Sequence, residues 1–192
     1  MQRGSVSWAL DPAESWLRVW THKGGLLARA AHDLCLESRG LRVELTRQAS
    51  SVSLVAVVPV GSLRVLGQVL AGGRVEPLKP SDHAEIEDNL RGPRVLDAAR
   101  HPEVRWEGTG ALGAGAEARC EGRLTVRGAT LALPLRAALH EEAGGVRAQG
   151  QVELRQTMLG ITPFSALLGA LKVQDEVQVS WSLFWPGAKL GS

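Results

Sequence analysis

The residues with the most reactive side chains are few and widely spaced in this chain. His32 and Asp33 are adjacent, Cys35 follows two positions later, and Cys120 and the other four histidines are dispersed. A metal site needs several ligands at set spacings, and the sequence contains neither a His-x-His nor a Cys-x-x-Cys pair. It also lacks the Gly-x-Ser-x-Gly elbow of a serine hydrolase. We therefore expect no metal, no cofactor and no catalytic residue.

His32 is the polar residue with the strongest claim to a role in binding. It shares a strand face with Leu34 and Leu36, so alternation points its side chain to the interior. One interpretation is a core histidine that is satisfied by a backbone carbonyl or by Asp33. The other is a hydrogen-bonding group for the head of a bound ligand, near one mouth of the fold. An enzyme with His32 as acid or base is the weakest of the alternatives.

Strands must position these residues, because apolar and polar side chains alternate along much of the chain. Small or apolar residues occupy every second position from Ala118 to Val126, and the pattern resumes after Gly128 as far as Leu139. It recurs over 146–154 and 177–185. Successive side chains of a strand point to opposite faces, so each of these strands has one apolar face. Gly128 marks a hairpin turn. Antiparallel strands of this kind form either a sandwich or a barrel.

The middle of the chain departs from the strand pattern. Pro77 and Pro80 end the β region, and Ser81 or Asp82 is placed to cap a helix, with Glu85 completing a capping box. Gly92-Pro93 then ends that helix and begins a second short one. At 192 residues, without a low-complexity linker, the chain is predicted to form a single domain over 1–192, with its core at about 8–184.

The charge and composition exclude several classes of function. The formal net charge is +2, basic residues do not cluster, and only six Trp and two Phe are present, which argues against a nucleic-acid partner. No apolar run reaches the length of about 20 residues needed for a membrane-spanning helix. The first eight residues lack the apolar segment of a secretion signal, so we expect a cytoplasmic protein.

Four segments in a fixed order resemble the YceI-like family of polyisoprenoid-binding, lipocalin-like proteins. They are LDPAESWLRVWTHKGGLLARAAHDLCL at 10–36, AEIEDNLRGPRVLDAARHPEVRW at 84–106, CEGRLTVRGATLALPL at 120–135 and GITPFSALLGALKVQDEVQVSWSL at 160–183. The resemblance implies an all-β fold, an antiparallel eight-stranded barrel with two short helices inserted mid-chain. It also implies a long apolar interior that binds or transports a polyisoprenoid, a quinone or a fatty-acid derivative without catalysis.

The small residues at inward positions are Ala118, Gly122, Ala137, Ala148 and Gly150. By themselves they fit either a tightly packed barrel or a cavity, and the resemblance favours the cavity. A tail of about 20 carbons buried there gains on the order of 10 kcal/mol, at about 0.8 kcal/mol per CH₂ less the cost of ordering. The residues expected to contact such a ligand are Leu17, Val19, His32, Leu34, Leu36, Trp106, Leu124, Val126, Leu133, Met158, Phe164, Leu167, Leu168, Val179 and Trp181.

The main alternative is an interaction module whose barrel is packed solid. The segment 158–171 is the most apolar loop of the chain, and such a loop is unfavourable in contact with water. Three roles are open for it: a plug at one end of the barrel, a gate for the ligand, or the contact of a homodimer.

Overall fold

The computed structural model describes residues 6–24, 33–48, 51–112, 116–166, 168 and 171–190. Nearly all of the regular structure is antiparallel β-sheet. The elements are β1 Val6–Trp8, β2 Trp16–Gly24, β3 Asp33–Ser38, β4 Arg42–Gln48, β5 Ser51–Pro59, β6 Arg64–Val69, β7 Val75–Glu76, α1 Pro80–Arg91, β8 Glu103–Leu112, β9 Glu117–Val126, β10 Ala129–Ala132, β11 Leu135–Glu142, β12 Gly145–Arg155, β13 Ser165–Ala166 and β14 Leu171–Pro186. Short 3-10 turns lie at Val60–Ser62 and Gln156–Leu159.

The strands form one sheet in the order β1-β4-β5-β8-β9-β11-β12-β14-β2-β3-β6-β7, with β10 beside β9 and β13 beside β14. The all-β, antiparallel class predicted from the sequence is confirmed. The predicted count of eight strands differs from the 14 strands of this sheet, and the hydrogen-bonded order has two ends, β1 and β7, rather than closing on itself.

Bends in three chain segments account for three of the additional strands, and the short strands β7, β10 and β13 account for the other three. The segments 6–24, 33–48 and 51–69 are each interrupted once, so each contributes two strands. The halves form two separate antiparallel sets, because β3 lies between β2 and β6 while β4 lies between β1 and β5. A segment that bends in this way takes part in two regions of the sheet, and the sheet curls around an interior.

The hairpin predicted at Gly128 is confirmed. Val126 pairs with Ala129, and Arg127 and Gly128 between them both have positive φ, at 51° and 79°. Two consecutive residues with positive φ are the signature of a type I′ turn, whose twist matches that of the flanking strands. Glycine adopts this conformation without a steric cost.

The mid-chain region holds one α-helix instead of two. Helix α1 begins at Pro80 with Lys79 as N-cap and no side-chain cap, so the capping box predicted from Asp82 and Glu85 is wrong. Pro is favoured at the first helical position, and the N-cap is therefore Lys79 instead of Ser81 or Asp82. Residues 93–100 form turns, since Asp97 adopts a positive φ of 48° that a continuous helix does not allow.

The sheet has two distinct ends, a hairpin end and a helix end. At the hairpin end β4 joins β5, β8 joins β9 and β11 joins β12, because these connections follow every second strand of the antiparallel order. A hydrogen bond of 2.7 Å from the Gly187 amide to the Gly144 carbonyl brings the residues after β14 to the same end.

The opposite end, the helix end, carries α1, the turns at 93–100 and the 3-10 turn after β12. Arg127 in the β9–β10 turn donates to the Pro93 carbonyl at 2.9 Å, which ties that turn to the segment after α1. Within the described ranges, no helix is both long and apolar enough to cross a membrane.

Candidate functional site: an apolar cavity inside the sheet

A cavity of about 350 Å³ lies between the inner faces of the strands. This volume is within the range of roughly 300–1,000 Å³ that is typical of small-molecule sites. Its wall is made by inward residues of β1, β2, β3, β4, β5, β8, β9, β11, β12 and β14, so it extends around the interior of the sheet. An interior of this kind accepts an apolar ligand without the loss of buried hydrogen bonds.

Most residues that were predicted to contact a ligand lie on this cavity. All but Leu133, which lies between β10 and β11, are on the inner face of a strand. They are Leu17, Val19, Leu36, Trp106, Leu124, Val126, Leu133, Val179 and Trp181. Cross-strand pairing brings three of them side by side, because Val19 pairs with both Val179 and Leu36. Their contact with a ligand stays a prediction.

Four predicted residues are absent from the described cavity wall. Leu34 lies beside Thr21 toward the start of β3, and the part of β3 that lines the cavity is Leu36. Met158 and Leu168 are exposed to 57% and 110%, and Phe164 is half-buried away from the cavity. The 3-10 turn that holds Met158 directs the next residue inward and Met158 outward. His32 and Leu167 fall outside the described residues.

The inward glycines do not leave the empty volume that the sequence suggested. A Cβ atom on Gly150 would lie 2.3 Å from Cζ2 of Trp181, and one on Gly122 would lie 2.3 Å from Cζ2 of Trp106. Each glycine is therefore covered by an indole ring from the neighbouring strand. The ring takes the place of a side chain, so the glycine permits close packing on the wall. Ala118, Ala137 and Ala148 do line the cavity.

The helix end of the cavity is packed with aliphatic side chains. Leu159 and Ile161, just after β12, are each 5% exposed, and Leu96 from the turns after α1 is 9% exposed. Leu90 of α1 and Val95 complete this lining. Of the three roles open for the 158–171 loop, a plug is the one that Leu159 and Ile161 support.

The rim of the cavity at the hairpin end is more open and more polar. Trp8 and Leu190 are half-buried there, and Lys189 between Ala188 and Leu190 is exposed. Arg47 also lines the cavity at this end and pairs in register with Val52. A mouth with this composition lets a polar group of a ligand remain in contact with water while its tail is buried.

Two buried indoles differ in their hydrogen bonding. Trp106 is 5% exposed, and its Nε1 donates to the Leu133 carbonyl at 2.9 Å. Trp185 is 4% exposed, and its Nε1 has no hydrogen-bond partner among the described residues. A buried donor without an acceptor costs about 1–3 kcal/mol, so such donors are uncommon in folded proteins.

Both cysteines are free thiols in different settings. Cys35 is fully buried, and burial raises its pKa to about 11. Cys120 lies on the cavity wall, and burial raises its pKa as well. At neutral pH both thiols are protonated, which makes them poor nucleophiles. Among the residues with described coordinates, no three His, Cys, Asp or Glu side chains are grouped so as to hold a metal ion.

Sequence reasoning missed the contribution of β4 and β5 to the cavity. Leu54 and Ala56 line it, but nearly every residue from Val52 to Val60 is apolar, so alternation gave no inner face. Arg47 was missed although a pattern was present: it is in phase with Val43 and Leu45 on the inner face of β4. A charged residue that continues an apolar row marks the point where the interior ends.

Comparison with known proteins gives a family-level match. A family model described as YceI-like domain matches residues 8–184. No curated protein matches the sequence.

Solved structures with the same fold include proteins of two bacteria. BcnA of Burkholderia cenocepacia has a TM-score of 0.68 at 14% sequence identity, over 91% of this chain and 98% of that one. The YCEI protein of Campylobacter jejuni has a TM-score of 0.56 at 10% identity, over 80% of this chain and 85% of that one. A mutant of the latter with a monobromobimane guest has the same TM-score of 0.56 at 9% identity, over 80% and 85%. At these identities the likeness establishes the fold.

Proposed function

Because the chain belongs to the YceI-like domain family, known as polyisoprenoid-binding proteins, we propose that it binds one long apolar molecule in the cavity and sequesters or transports it without catalysis. The candidate ligands are a polyisoprenoid, a quinone and a fatty-acid derivative. The single observation that carries the proposal is the cavity of about 350 Å³ with its nearly continuous apolar wall.

The arrangement of the chain segments supports a barrel around that ligand. The chain segments form eight groups around the interior. They are 6–24, 33–48, 51–69, β8, β9, β10 with β11, β12, and β14. Each group pairs with the next, and β14 pairs with β2 of the first. These eight groups correspond to the strands of an eight-stranded barrel, which is about the number that leaves room for one small ligand.

The hydrophobic effect supplies the affinity in this proposal. Burial of apolar surface contributes about 25 cal/mol per Å², which is roughly 0.8 kcal/mol for each CH₂ group. Several isoprene units in contact with Leu, Val and Trp side chains therefore offset the entropy lost on ordering the tail. Polar selectivity inside the wall is slight, so the length and branching of the tail determine the fit.

The first test is the content of the protein as it is purified. Protein prepared without detergent is extracted with organic solvent and the extract is analysed by mass spectrometry, in parallel with native mass spectrometry of the intact protein. We expect about one tail per chain. Repeated absence of bound lipid, together with no uptake of added geranylgeraniol, contradicts the proposal.

A matched pair of variants tests whether the ligand occupies the cavity. Ala137 lines it and pairs with Ala118 on the inner face, whereas the next residue, Ala138, is exposed on the outer face. Ala137→Phe fills the interior, and we expect the affinity for geranylgeraniol to fall about tenfold or more. Ala138→Phe adds the same ring outside and keeps wild-type affinity. Equal affinities of the two variants contradict a site inside the sheet.

An interaction module is the second candidate function, and the exposure of Met158 and Leu168 favours it. Large apolar side chains in contact with water are a feature of association surfaces. Light scattering with size-exclusion chromatography distinguishes the two functions: a dimer that Met158→Ser dissociates, with no lipid bound, supports the module. The role of His32 as acid or base and the cytoplasmic location stay predictions.

A further inference from the structure

Among the described lining residues, two cations, Arg47 and Lys189, lie at the hairpin end of the cavity. Arg47 continues the inward row of Val43 and Leu45 on β4, and it reaches the cavity where β4 joins β5. Lys189 lines the cavity just after β14, and the neighbouring Leu190 amide donates to Glu141 Oε1 at 2.9 Å, which fixes this segment beside β11. Two cations from opposite parts of the chain therefore meet the same mouth.

No opposing charge lies on the cavity wall as far as the structure describes it. The lining contains no Asp and no Glu. Arg136 also belongs to the wall, but Leu135 and Ala137 on either side face inward while the Arg136 side chain is exposed. Its charge is therefore on the outer face. At the helix end, the polar residues of the lining are the uncharged Thr21 and Gln156.

Trp185 adds a hydrogen-bond donor at the charged end. It lies on the cavity wall next to the last residue of β14 and pairs with Val146 of β12. Its buried Nε1 has no partner among the described residues, although an indole N–H that is removed from water normally finds one. A ligand oxygen at this end gives that N–H an acceptor once the ring turns toward the cavity.

We propose that the hairpin end binds the anionic head group of a single-tailed amphiphile, a phosphate or a carboxylate, while the tail extends to the aliphatic helix end. The inference rests on the proposed function and specifies its ligand. Charge-assisted hydrogen bonds from Arg47 and Lys189 hold the head group, and the Trp185 N–H is a third donor at this end. Both cations also interact within the protein, and a head group shares them with those partners.

The test compares ligands with one tail and different heads. Geranylgeraniol, geranylgeranyl phosphate and geranylgeranoic acid are each titrated below their micelle concentrations, with tryptophan fluorescence as the measurement of Kd. Each exposed or half-exposed ion pair contributes a factor of about three, so we expect an anionic head to bind about tenfold tighter than the alcohol. The preference falls at 0.5 M salt because ions screen the charges. The phosphate and carboxylate arms show which anion is preferred.

Charge-removing variants locate the effect. Arg47→Gln and Lys189→Gln each reduce the preference about threefold, and the double variant abolishes it. Lys189 is exposed, so we expect Lys189→Gln to fold. It therefore measures the contribution of a cation to the head-group preference even if Arg47→Gln fails to fold. Arg123→Gln is the control, since it removes an equal charge from the exposed outer face of β9.

Three outcomes overturn the inference, and they differ from a failure of the proposed function. One is equal affinity for alcohol and anions in the wild type. Another is a preference that persists in the double variant. The third is a preference that is lost only in His32→Gln, which assigns the head group to the histidine that the sequence singled out and not to Arg47 and Lys189. If geranylgeraniol and both anions all fail to bind, the proposed function itself is wrong.

Discussion

The helix end and the hairpin end of the cavity differ in the burial and the charge of their side chains. At the helix end, Leu96, Leu159 and Ile161 are almost completely buried, and each belongs to a segment that crosses the end of the sheet. At the hairpin end, Leu190 is half-buried and Lys189 is exposed. One end is closed by apolar packing, whereas the other presents charge to water.

The difference assigns a direction to a bound amphiphile. A tail gains most where all surrounding atoms are apolar, and a charged head loses least where water and cations remain available. Both conditions are met with the tail toward the helix end and the head toward the hairpin end. A fold with two equivalent ends has no such preference.

The largest effect is expected from truncating the packed end. Leu159→Ala removes a side chain that is 5% exposed, and it costs about 3 kcal/mol in the free energy of unfolding, through lost burial and the cavity left behind. Leu190→Ala, at the half-buried rim, costs less than about 1 kcal/mol. Unfolding in urea, followed by circular dichroism, measures both. Equal costs contradict the distinction between a closed end and an open one.

A second comparison is between the indole of Trp106, toward the helix end, and the indole of Trp185, at the hairpin end. Trp106→Phe leaves the Leu133 carbonyl without its donor, whereas Trp185→Phe removes an N–H that has no described acceptor. Both variants lose similar volume, so the difference isolates the hydrogen bond. We expect Trp106→Phe to be less stable than Trp185→Phe by about 1–3 kcal/mol.

Chemical denaturation of ligand-free protein measures this difference. We expect Trp185→Phe to lower the free energy of unfolding of the ligand-free protein only by the amount that the lost side-chain volume explains. The same variant is expected to weaken the binding of geranylgeranyl phosphate. A larger loss of stability for Trp185→Phe than for Trp106→Phe means that the Trp185 N–H has an acceptor in solution, and the basis for its role in head-group binding is then removed.

Alternation in the sequence was sufficient to identify most of the inner wall. Along β9, polar residues separate Cys120, Gly122 and Leu124, so the inner face was evident. Along β5, a continuous apolar run hides the face, and Leu54 and Ala56 were not found. Periodicity is informative when the outer face is polar and fails when both faces are apolar.

Other features depend on contacts between distant residues, which a local pattern does not contain. Gly122 and Gly150 indicated empty space, but their neighbours on adjacent strands are Trp106 and Trp181, whose rings cover them. Likewise, the second helix expected after Gly92-Pro93 is replaced by turns, because Asp97 has a positive φ. Cross-strand register and a single backbone angle decided these cases, and neither is a property of composition.

The smallest effect concerns the docking of α1 at the helix end, and it depends on pH. Glu87 accepts from the Val65 amide at 3.1 Å and from Arg91 at 2.6 Å. Burial alone would raise the pKa of Glu87, but these hydrogen bonds and the charges of Arg91 and Arg64 hold it below its usual value. A carboxylate with a lowered pKa in the folded state stabilises the fold above its unfolded pKa, which is about 4.3, and loses that contribution as the pH falls through the folded value.

Glu87→Gln is therefore expected to cost about 1 kcal/mol at pH 7, and its difference from the wild type shrinks as the pH is lowered below about 4. Glu85→Gln on the same helix is the control, because Glu85 is exposed. Urea denaturation across this pH range measures the free energy of unfolding of all three proteins. Since α1 supplies Leu90 to the closed end, the weakened variant also binds geranylgeraniol less tightly at pH 7 if the helix end holds the tail. A difference between Glu87→Gln and the wild type that stays constant with pH shows that the Glu87 carboxylate does not anchor the helix through its charge.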